Sequence, residues 1–418
     1  MSEILELARA ELDARYNRLV ALNTSSLCTR CGLCADACHF FLADRDPEVS
    51  PAAKTERVRS VYKRDHDWLS RLFPRFTGAR ELTEDELDAW VDASFQYCTM
   101  CERCVINCPM AVDTPAVMAA ARGTLTAVGK APEILVQLAD AQIERANSMD
   151  LFKDLLKEQI GYLEEELCEA TGDPHATIPL EKEGAETLYV ALSGAHTILP
   201  AAQIFHSAGA DWTLSLFEAS NYGIFLGDAK RSKAIAQRII DEATRLKVKE
   251  VVITECGHAV FSYRWGVPTW FGELPFKLRS LIEVLAEYVD DGRITLDPSA
   301  NPEPVTFHDS CNLSRKCGLM QEPRTILAAT TEDFREMSPN REQAFCCGAG
   351  SGLVAVEEWR ETRLGAGRPK AEQIEQTGAK VVVTSCDNCR HQIADLGEHY
   401  GLGIEVRNLA EVTARALA

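Results

Sequence analysis

Two runs of four cysteines, both spaced C-x2-C-x2-C-x3-C, constrain this chain more than any other feature of its sequence. The runs are Cys28, Cys31, Cys34 and Cys38, and Cys98, Cys101, Cys104 and Cys108. The N-terminus lacks the apolar core of a secretory signal, so we expect a cytoplasmic chain. Thiols stay reduced there, and sixteen cysteines in 418 residues therefore indicate metal or redox chemistry rather than a disulfide framework.

This spacing is typical of iron–sulfur clusters. Three thiolates two residues apart can wrap one cubane, and the fourth cysteine commonly serves the other cluster. We therefore predict two 4Fe–4S clusters that exchange their fourth ligands. The predicted ligand sets are Cys28, Cys31, Cys34 and Cys108 for the first cluster, and Cys98, Cys101, Cys104 and Cys38 for the second. Zinc is the alternative, but structural zinc sites prefer two C-x2-C pairs set well apart. His39 follows the first run where Pro109 follows the second.

The residues around the two runs are compatible with helices rather than with the hairpins of a compact ferredoxin. Thr83 followed by Glu86 forms a capping-box pattern before the second run, and residues 110–145 continue in helical texture. We predict an α-helical ferredoxin domain over residues 1–145, which resembles the module of respiratory iron–sulfur subunits. Residues 146–186 are acidic and mixed in character, and we predict a linker with some helix there.

From Leu188 onward, short apolar runs alternate with helix-length segments, which predicts β-α-β units. The stretch RLKVKEVVITEC at 245–256 matches EQTGAKVVVTSC at 375–386, and LYVALSGA at 188–195 parallels VTFHDSCN at 305–312. Such an internal repeat predicts two related structural units. We expect a degenerate α/β repeat over 187–300 and an intact one over 301–418, arranged as a pseudo-twofold pair. The predicted fold class is α + α/β.

Five more cysteines follow predicted strands or loops of the second repeat. They are Cys311, Cys346, Cys347, Cys386 and Cys389. Five thiols exceed what one cubane needs, so this group could hold an unusual cluster, or a cluster with a spare thiolate. In the first repeat Ser193 stands where Cys311 stands in the second, and only Cys256 remains. The first repeat has therefore lost its own metal site.

Other residues near these cysteines are candidates for supporting roles. Gly348 and Gly350 would let backbone N–H groups approach a cluster closely. His308 lies at a strand end just before Cys311, where it would contact the ligands or make ordinary strand-end hydrogen bonds. Cys256 and His258 are either a substrate-side thiol and proton donor or a packed relic of the lost site.

The pattern C-x34-C-C-G-x37-C-x2-C resembles the cysteine-rich CCG domain of heterodisulfide reductase catalytic subunits. Joined to a two-cluster ferredoxin domain, it is similar to the D subunit of heterodisulfide reductase. The stretches VTFHDSCNLSR, MSPNREQAFCCGAGSGL and VVITECGHA resemble more closely the K subunit of the Dsr complex and its relatives in the Tmc and Hmc complexes. The resemblance implies a third 4Fe–4S cluster, of non-cubane type, at the five cysteines of the second repeat. The residues themselves leave the choice between cubane and non-cubane open.

The resemblance also implies a function. Electrons would pass through the two ferredoxin-type clusters to the CCG-bound cluster, which reduces a disulfide or oxidises a dithiol within a membrane-associated respiratory complex. The implied partners are a membrane cytochrome b or another electron-donor subunit, and a disulfide-bearing small molecule or small protein. We find no apolar run long enough for a transmembrane helix, so attachment to the inner face of the membrane would require a partner subunit.

Two alternatives remain open at the level of sequence. The chain could be a substrate-free electron-transfer subunit of another low-potential complex, or its CCG cysteines could form a structural zinc site. Nucleic acid is an unfavourable partner, because 63 acidic against 44 basic residues give a net charge of −19. Sequence-independent binding to nucleic acid needs a basic surface.

Overall fold

The fold is given by a computed structural model that describes residues 3–147 and 149–418. Met1, Ser2 and Ser148, which belong to the predicted helical domain and linker, lie outside the described residues. The chain divides into two compact units. The first unit contains the chain up to Leu138 together with Tyr222–Ala229 and Phe345–Lys370, and the second contains the remainder. The units are thus not contiguous in sequence, and the boundaries at 145, 186 and 300 stay a prediction.

The N-terminal part of the chain is helical, in agreement with the sequence pattern. Its helices are α1 (Glu3–Arg15), α2 (Arg18–Leu22), α3 (Leu33–Ala37), α4 (His39–Asp44), α5 (Pro51–His66), α6 (Trp68–Leu72), α7 (Pro74–Thr77), α8 (Glu84–Val91), α9 (Arg103–Ile106), α10 (Thr114–Ala127), α11 (Glu133–Asn147) and α12 (Met149–Thr171). Helix α10 packs against both α1 and α5. Its buried Val117, Met118 and Leu125 contribute to the core of the first unit.

Side-chain caps fix where several of these helices begin. The Thr83 hydroxyl accepts a hydrogen bond from the Glu86 N–H at 3.2 Å, so the predicted N-terminus of α8 is confirmed. The Glu86 carboxylate pairs with Arg80. Ser50 caps α5 in the same way, with Pro51 as the first helical residue. Such caps satisfy backbone N–H groups that lack partners inside the helix.

The second unit contains two four-stranded parallel sheets. The strands are β1 (Thr187–Val190), β2 (Trp212–Leu214), β3 (Glu250–Ile253), β4 (Lys277–Ser280), β5 (Val305–His308), β6 (Phe334–Arg335), β7 (Val381–Thr384) and β8 (Glu405–Asn408). The strand orders are β2-β1-β3-β4 and β6-β5-β7-β8, so the two sheets share one topology. The α/β class predicted for this part of the chain is confirmed.

Helices connect the strands, as parallel pairing requires. They are α13 (Ala195–Ser207), α14 (Ala229–Leu246), α15 (Gly257–Phe261), α16 (Val267–Phe271), α17 (Leu281–Asp290), α18 (Ser314–Cys317), α19 (Glu322–Thr330), α20 (Arg360–Thr377), α21 (Asp387–His399) and α22 (Leu409–Arg415). The central strands β1, β5 and β7 are buried along their whole length. This explains why they appear in the sequence as continuous apolar runs rather than alternating ones.

The segment predicted as an acidic linker contains the 23-residue helix α12. Ile160, Leu163 and Leu167 of this helix are buried in the same core as the first sheet. Their spacing of three and four residues places them on one helical face, while the acidic residues Glu165 and Glu166 are exposed. The acidic composition therefore marks the exposed face of a packed helix.

Within the described residues, no helix combines the length and the apolar character needed to cross a bilayer.

Candidate iron–sulfur and cysteine-rich sites

One cavity of the first unit brings together the cysteines predicted for the first cluster. Its lining includes Cys28, Cys31, Cys34 and Cys108, together with Cys104. The first three come from the loop before α3 and the start of that helix, and Cys108 follows α9. Thiolates are the ligands of 4Fe–4S clusters, so the donor set fits the predicted group.

A second cavity of the same unit brings together the other four cysteines. Its lining includes Cys38, Cys98, Cys101 and Cys104. Cys38 caps the N-terminus of α4, and Cys104 lies in α9. Each cavity therefore contains three cysteines of one run and the fourth cysteine of the other, and Cys104 lines both cavities. No disulfide bond joins cysteines in the described part of the chain.

The two cysteine loops share an unusual backbone. In each loop the second and fourth residues after the first cysteine have positive φ angles: 57° and 84° at Arg30 and Gly32, and 49° and 64° at Met100 and Glu102. Left-handed residues reverse the chain tightly, which lets closely spaced side chains point to one centre. In the second loop the Met100 N–H also donates to Cys98 Sγ at 3.4 Å. Equal cysteine spacing has thus produced equal loop geometry.

Lys54 lies beside the second cavity and was not identified from the sequence. Its side chain is 2% exposed, and Nζ lies 3.7 Å from Cys38 Sγ and donates to the Tyr97 carbonyl. Burial raises the pKa of both Cys98 and Cys104, whereas the positive charge of Lys54 acts to lower both. Metal ligation requires thiolates, and a buried cation favours that form. A lysine within an otherwise surface-like helical pattern gives no sequence signal of this position.

Arg122 is fully buried next to the second cysteine run. Its guanidinium donates to the carbonyls of Ser94, Cys98, Phe225 and Ser351 at 2.7–2.9 Å. Burial lowers the pKa of Arg122 to about 10, which leaves it charged at neutral pH. One side chain thus joins three separate segments of the first unit, including the loop that follows Cys347.

Cys346 and Cys347 belong to the first unit and are both buried. Cys346 Sγ accepts a hydrogen bond from the Gly348 N–H at 3.4 Å, which is the kind of backbone approach expected for this glycine. Cys346 Sγ also lies 3.4 Å from the Thr99 hydroxyl. A ring nitrogen of His39, Cys101 Sγ and Cys346 Sγ all lie within 4.8 Å of one another. The second cavity and Cys346 are therefore immediate neighbours.

Close packing against neighbouring residues also explains the glycines of the loop 348–352. Gly348 has φ +107°, and a Cβ there would lie 2.7 Å from the Arg363 carbonyl oxygen. A Cβ on Gly350 would lie 3.3 Å from the Thr99 Cβ. Gly352, with φ +88°, leaves similarly little room beside Leu135. A side chain at Gly348 would both strain the backbone and clash with α20.

Cys311, Cys386 and Cys389 belong to the second unit, where all three are buried after the ends of β5 and β7. Cys386 caps α21, and Cys389 lies in its first turn, 4.0 Å from the Ser310 hydroxyl. A Cβ on Gly257 would come within 3.3 Å of Cys386 Sγ and 2.9 Å of Ser310 Oγ. The turn containing Cys256 therefore lies directly against the turn containing Cys386.

Cys256 and His258 form a buried, uncharged pair. Cys256 Sγ lies 3.4 Å from His258 Nδ1, and His258 Nε2 accepts the Asn221 N–H at 3.2 Å. An accepting Nε2 assigns the ring proton to Nδ1, which can then donate to the sulfur. Burial lowers the pKa of His258 to about 4 and raises the pKa of Cys256 well above its usual range. At neutral pH the pair is a neutral imidazole beside a neutral thiol.

His308 is buried at the end of β5, and the next residue, Asp309, binds Arg324. The two carboxylate oxygens of Asp309 accept from Arg324 at 2.8 Å each, and one of them also accepts the Arg341 N–H at 2.7 Å. Burial would raise the pKa of Asp309, but these partners hold it below its usual value. The arrangement anchors the strand end that precedes Cys311.

Comparison with known proteins defines the class. Residues 24–112 match the 4Fe-4S dicluster domain family, and residues 305–394 match the cysteine-rich domain family called CCG. The first match spans both four-cysteine runs, and the second spans all five remaining predicted ligands. The protein is thus an iron–sulfur protein with a dicluster domain followed by a cysteine-rich CCG domain.

Within that class the chain is similar along most of its length to subunits of Hdr-like oxidoreductases. It is 28% identical to the Hdr-like menaquinol oxidoreductase iron–sulfur subunit of Archaeoglobus profundus over 94% of this chain and 79% of that subunit. It is 24% identical to the D subunit of the dihydromethanophenazine:CoB–CoM heterodisulfide reductase of Methanosarcina mazei over 97% of both chains. The predicted resemblance to the D subunit of heterodisulfide reductase is confirmed. A shorter similarity, 26% identity over 41% of this chain, joins it to the EtfAB:quinone oxidoreductase of Syntrophomonas wolfei.

Proposed function

We propose that this chain is the subunit of an Hdr-like complex in which electrons are exchanged with a disulfide or dithiol. Eight cysteines would hold two 4Fe–4S clusters in the exchanged arrangement given above. The other five would hold one further cluster, for which we propose the non-cubane form. They are Cys311, Cys346, Cys347, Cys386 and Cys389. When bound, such clusters supply one-electron transfer at potentials set by their protein surroundings.

The observation that supports this proposal most strongly is the grouping of cysteines in the first unit. The eight thiols line two cavities, five in the first and four in the second with Cys104 in both, and Cys346 Sγ lies within 4.8 Å of Cys101 Sγ. A ligand of one proposed cluster thus neighbours a ligand of the next. A zinc site would need neither the dicluster motifs nor this proximity.

The residues of the chain are suited to a reaction that consumes electrons and protons together. Reducing a disulfide takes two electrons and two protons and gives two thiols, and the reverse reaction releases them. A partner subunit would supply or accept the electrons. Cys256 and His258 flank Gly257 in the turn that packs against Cys386, and we propose them as the substrate-side thiol and proton donor.

The two sheets share one strand order, and the residues after their third strands correspond: Thr254-Glu255-Cys256 and Thr384-Ser385-Cys386. We propose that they are a pseudo-twofold pair of which only the second copy retained its metal ligands. In this view the strand register places Gly194, rather than the expected Ser193, at the position of Cys311, and Ala259 stands where Cys389 stands in the second copy.

Partner subunits follow from the names of the relatives, which describe subunits of multi-component oxidoreductases. We propose a membrane cytochrome b or another electron-donor subunit as the immediate partner. Such a partner would hold the chain at the inner face of the membrane. The substrate would be a disulfide-bearing small molecule or small protein.

A second candidate function is electron transfer in a quinone-linked complex with no disulfide substrate. It is favoured by two relatives whose names specify menaquinol or quinone as a reactant. In that case the CCG cluster would exchange electrons with a partner protein only. The two candidates differ in whether the isolated, fully loaded subunit reduces a small disulfide.

The test is reduction of a small disulfide by the anaerobically prepared protein with reduced benzyl viologen as electron donor. We expect turnover in the wild type and a loss of at least about tenfold in Cys311→Ser, because a missing ligand thiolate disrupts the site. Cys317→Ser is the matched control, since Cys317 is also buried and lies six residues further on. Absence of turnover in fully loaded wild-type protein would favour the quinone-linked alternative.

A further inference from the structure

The Thr99 hydroxyl lies between Cys346 and His39, and the cysteine motifs alone do not explain these contacts. Its Oγ1 is 3.4 Å from Cys346 Sγ and 3.4 Å from His39 Nε2. All three residues are at most 3% exposed. They belong to the same unit, and Thr99 directly follows Cys98 of the second cysteine run. A single buried hydroxyl thus connects a dicluster motif with a CCG cysteine.

The protons in the two hydrogen bonds of Thr99, to Cys346 and to His39, can be assigned if Cys346 is a cluster ligand, as the proposed function requires. A ligating thiolate has no proton and only accepts hydrogen bonds. The hydroxyl therefore directs its one proton to Cys346 Sγ and accepts at its lone pair from His39 Nε2–H. Hydrogen bonds in such a chain polarise and strengthen one another in a buried environment.

Two further features indicate that this contact is built rather than incidental. Ser351 Oγ donates to the Thr99 carbonyl at 2.8 Å, and Gly350 packs against the Thr99 side chain, so the loop 348–352 fixes Thr99 from the other side. The donor to the hydroxyl is His39, which stands where the other run has Pro109, a residue without a side-chain donor. The two runs thus differ at the residue after their fourth cysteine. The run with His39 at that position is the one whose fourth cysteine, Cys38, lines the cavity next to Cys346.

We propose that Thr99 is a positioning residue for Cys346: its hydroxyl, oriented by His39, donates a hydrogen bond to the sulfur and raises the reduction potential of the cluster that Cys346 helps to hold. A donor to sulfur stabilises the reduced, more negative state of a cluster more than the oxidised state. Hydrogen bonds to sulfur are among the main determinants of cluster potentials. The inference rests on the proposed ligand role of Cys346.

The test is an anaerobic redox titration followed by electron paramagnetic resonance on fully loaded protein. The CCG signal is identified as the one absent in Cys347→Ser. We expect Thr99→Val, which replaces the hydroxyl by a methyl group, to lower the reduction potential of the cluster that gives this signal. The expected size is a five- to tenfold decrease in the equilibrium constant for its reduction. For a one-electron couple that is about 40–59 mV. Thr99→Ser retains the hydroxyl and should restore the wild-type potential.

Two controls separate a tuning role from general disturbance. Thr124→Val makes the same substitution at another buried threonine of this unit, whose hydroxyl donates to the Ala120 carbonyl, so the potential should stay within error of the wild type. Thr99→Ala serves as a second variant if Thr99→Val does not load fully with iron. An unchanged CCG potential in a fully loaded Val or Ala variant would overturn the inference alone. If wild-type protein has no signal that depends on Cys347, the proposed function fails as well.

Discussion

The two sheets of the second unit differ in chemistry although their strands are arranged alike. In each sheet the third strand in sequence is followed by a cysteine that caps a helix: Cys256 with φ −131° and ψ 97°, and Cys386 with φ −149° and ψ 116°. The backbone at the two positions is therefore nearly the same. Cys389 follows Cys386 after three residues, whereas Ala259 takes that position after Cys256, which instead contacts His258.

The difference shows that the fold determines where the residue after the strand lies but does not determine the chemistry of that residue. The same turn can present a thiolate to a metal or bury a neutral thiol beside an imidazole. Which of the two occurs depends on the neighbouring side chains, because a buried thiolate needs a compensating positive charge. Four predictions test this contrast, from the largest expected effect to the smallest.

Replacing the equivalent cysteines should have unequal consequences. We expect Cys386→Ser to lose the iron of one cluster, because the hydroxyl of serine is a poor substitute for a thiolate ligand. Cys256→Ser should retain the full iron content, since Cys256 is outside the proposed ligand set. Iron and acid-labile sulfide analysis of anaerobically purified protein measures both. Equal loss in the two variants would make the sheets chemically equivalent and remove the contrast.

Ion pairs near the two sheets should also differ in how much they contribute to the free energy of unfolding. Arg324→Met leaves the buried Asp309 carboxylate without its bidentate partner, and we expect a loss of about 3–5 kcal/mol in the free energy of unfolding. Arg279→Met in the first sheet affects a pair whose side chains are 20–46% exposed and should cost about 1 kcal/mol or less. Chemical denaturation of both variants gives the comparison. A smaller loss for Arg324→Met than for Arg279→Met would contradict it.

Glu255, next to Cys256, should make stability depend on pH. Its carboxylate is fully buried and accepts the N–H groups of Leu409 and Ala410, and burial raises its pKa from 4.5 to about 7. The folded state therefore holds this proton more tightly than the unfolded state, and the stabilisation is lost as pH rises from 4.5 through 7. Glu255→Gln removes the titration.

We expect the stability of Glu255→Gln relative to wild type to increase by roughly 3 kcal/mol between pH 4.5 and pH 8, at about 1.4 kcal/mol per pKa unit. Denaturation curves at several pH values measure this difference. Glu398→Gln on the exposed side of α21 is the control and should leave the pH dependence unchanged. A difference that does not vary with pH would mean that Glu255 is ionised throughout.

His258 should have the smallest effect at pH 8, and its pH dependence should be opposite to that of Glu255. Its pKa is lowered to about 4, so the folded state excludes a proton that the unfolded state binds near pH 6.5. We expect His258→Gln to be less stable than wild type by about 1 kcal/mol at pH 8, where the hydrogen bonds of the neutral ring are lost. The gap should close and then reverse as pH falls from 6.5 toward 5, since wild type loses about 1.4 kcal/mol per pH unit in that range. A gap that widens at low pH would contradict a neutral His258.

Much of this architecture could be predicted from local sequence. Cysteine spacing indicated the two runs of four because ligands so close in sequence lie in one loop. The apolar runs at Val251 and Val381 indicated buried strands. The capping pattern at Thr83 located a helix start. These signals are all local, extending over a few residues.

The remaining features depend on contacts between distant residues. The hydrogen bond between Thr99 and Cys346 joins positions 247 residues apart, and Arg122 gathers carbonyls as far away as Ser351. Lys54 gives no pattern that distinguishes a buried cation from a solvated one. The segment 146–186 was predicted as a linker with some helix, and the length and packing of α12 did not follow from its acidic composition, although its apolar residues recur at helical spacing. Tertiary packing, which no single sequence window contains, determines each of these.

The central claim is that the CCG cysteines hold a disulfide-active cluster. It is tested most directly by electron paramagnetic resonance on anaerobically prepared protein that is poised stepwise from reduced to thiol–disulfide-oxidised conditions. The account predicts dicluster signals under reducing conditions only, and a separate signal that appears on oxidation and is lost in Cys347→Ser. Full iron content without any such signal would contradict the claim and leave a subunit that only transfers electrons.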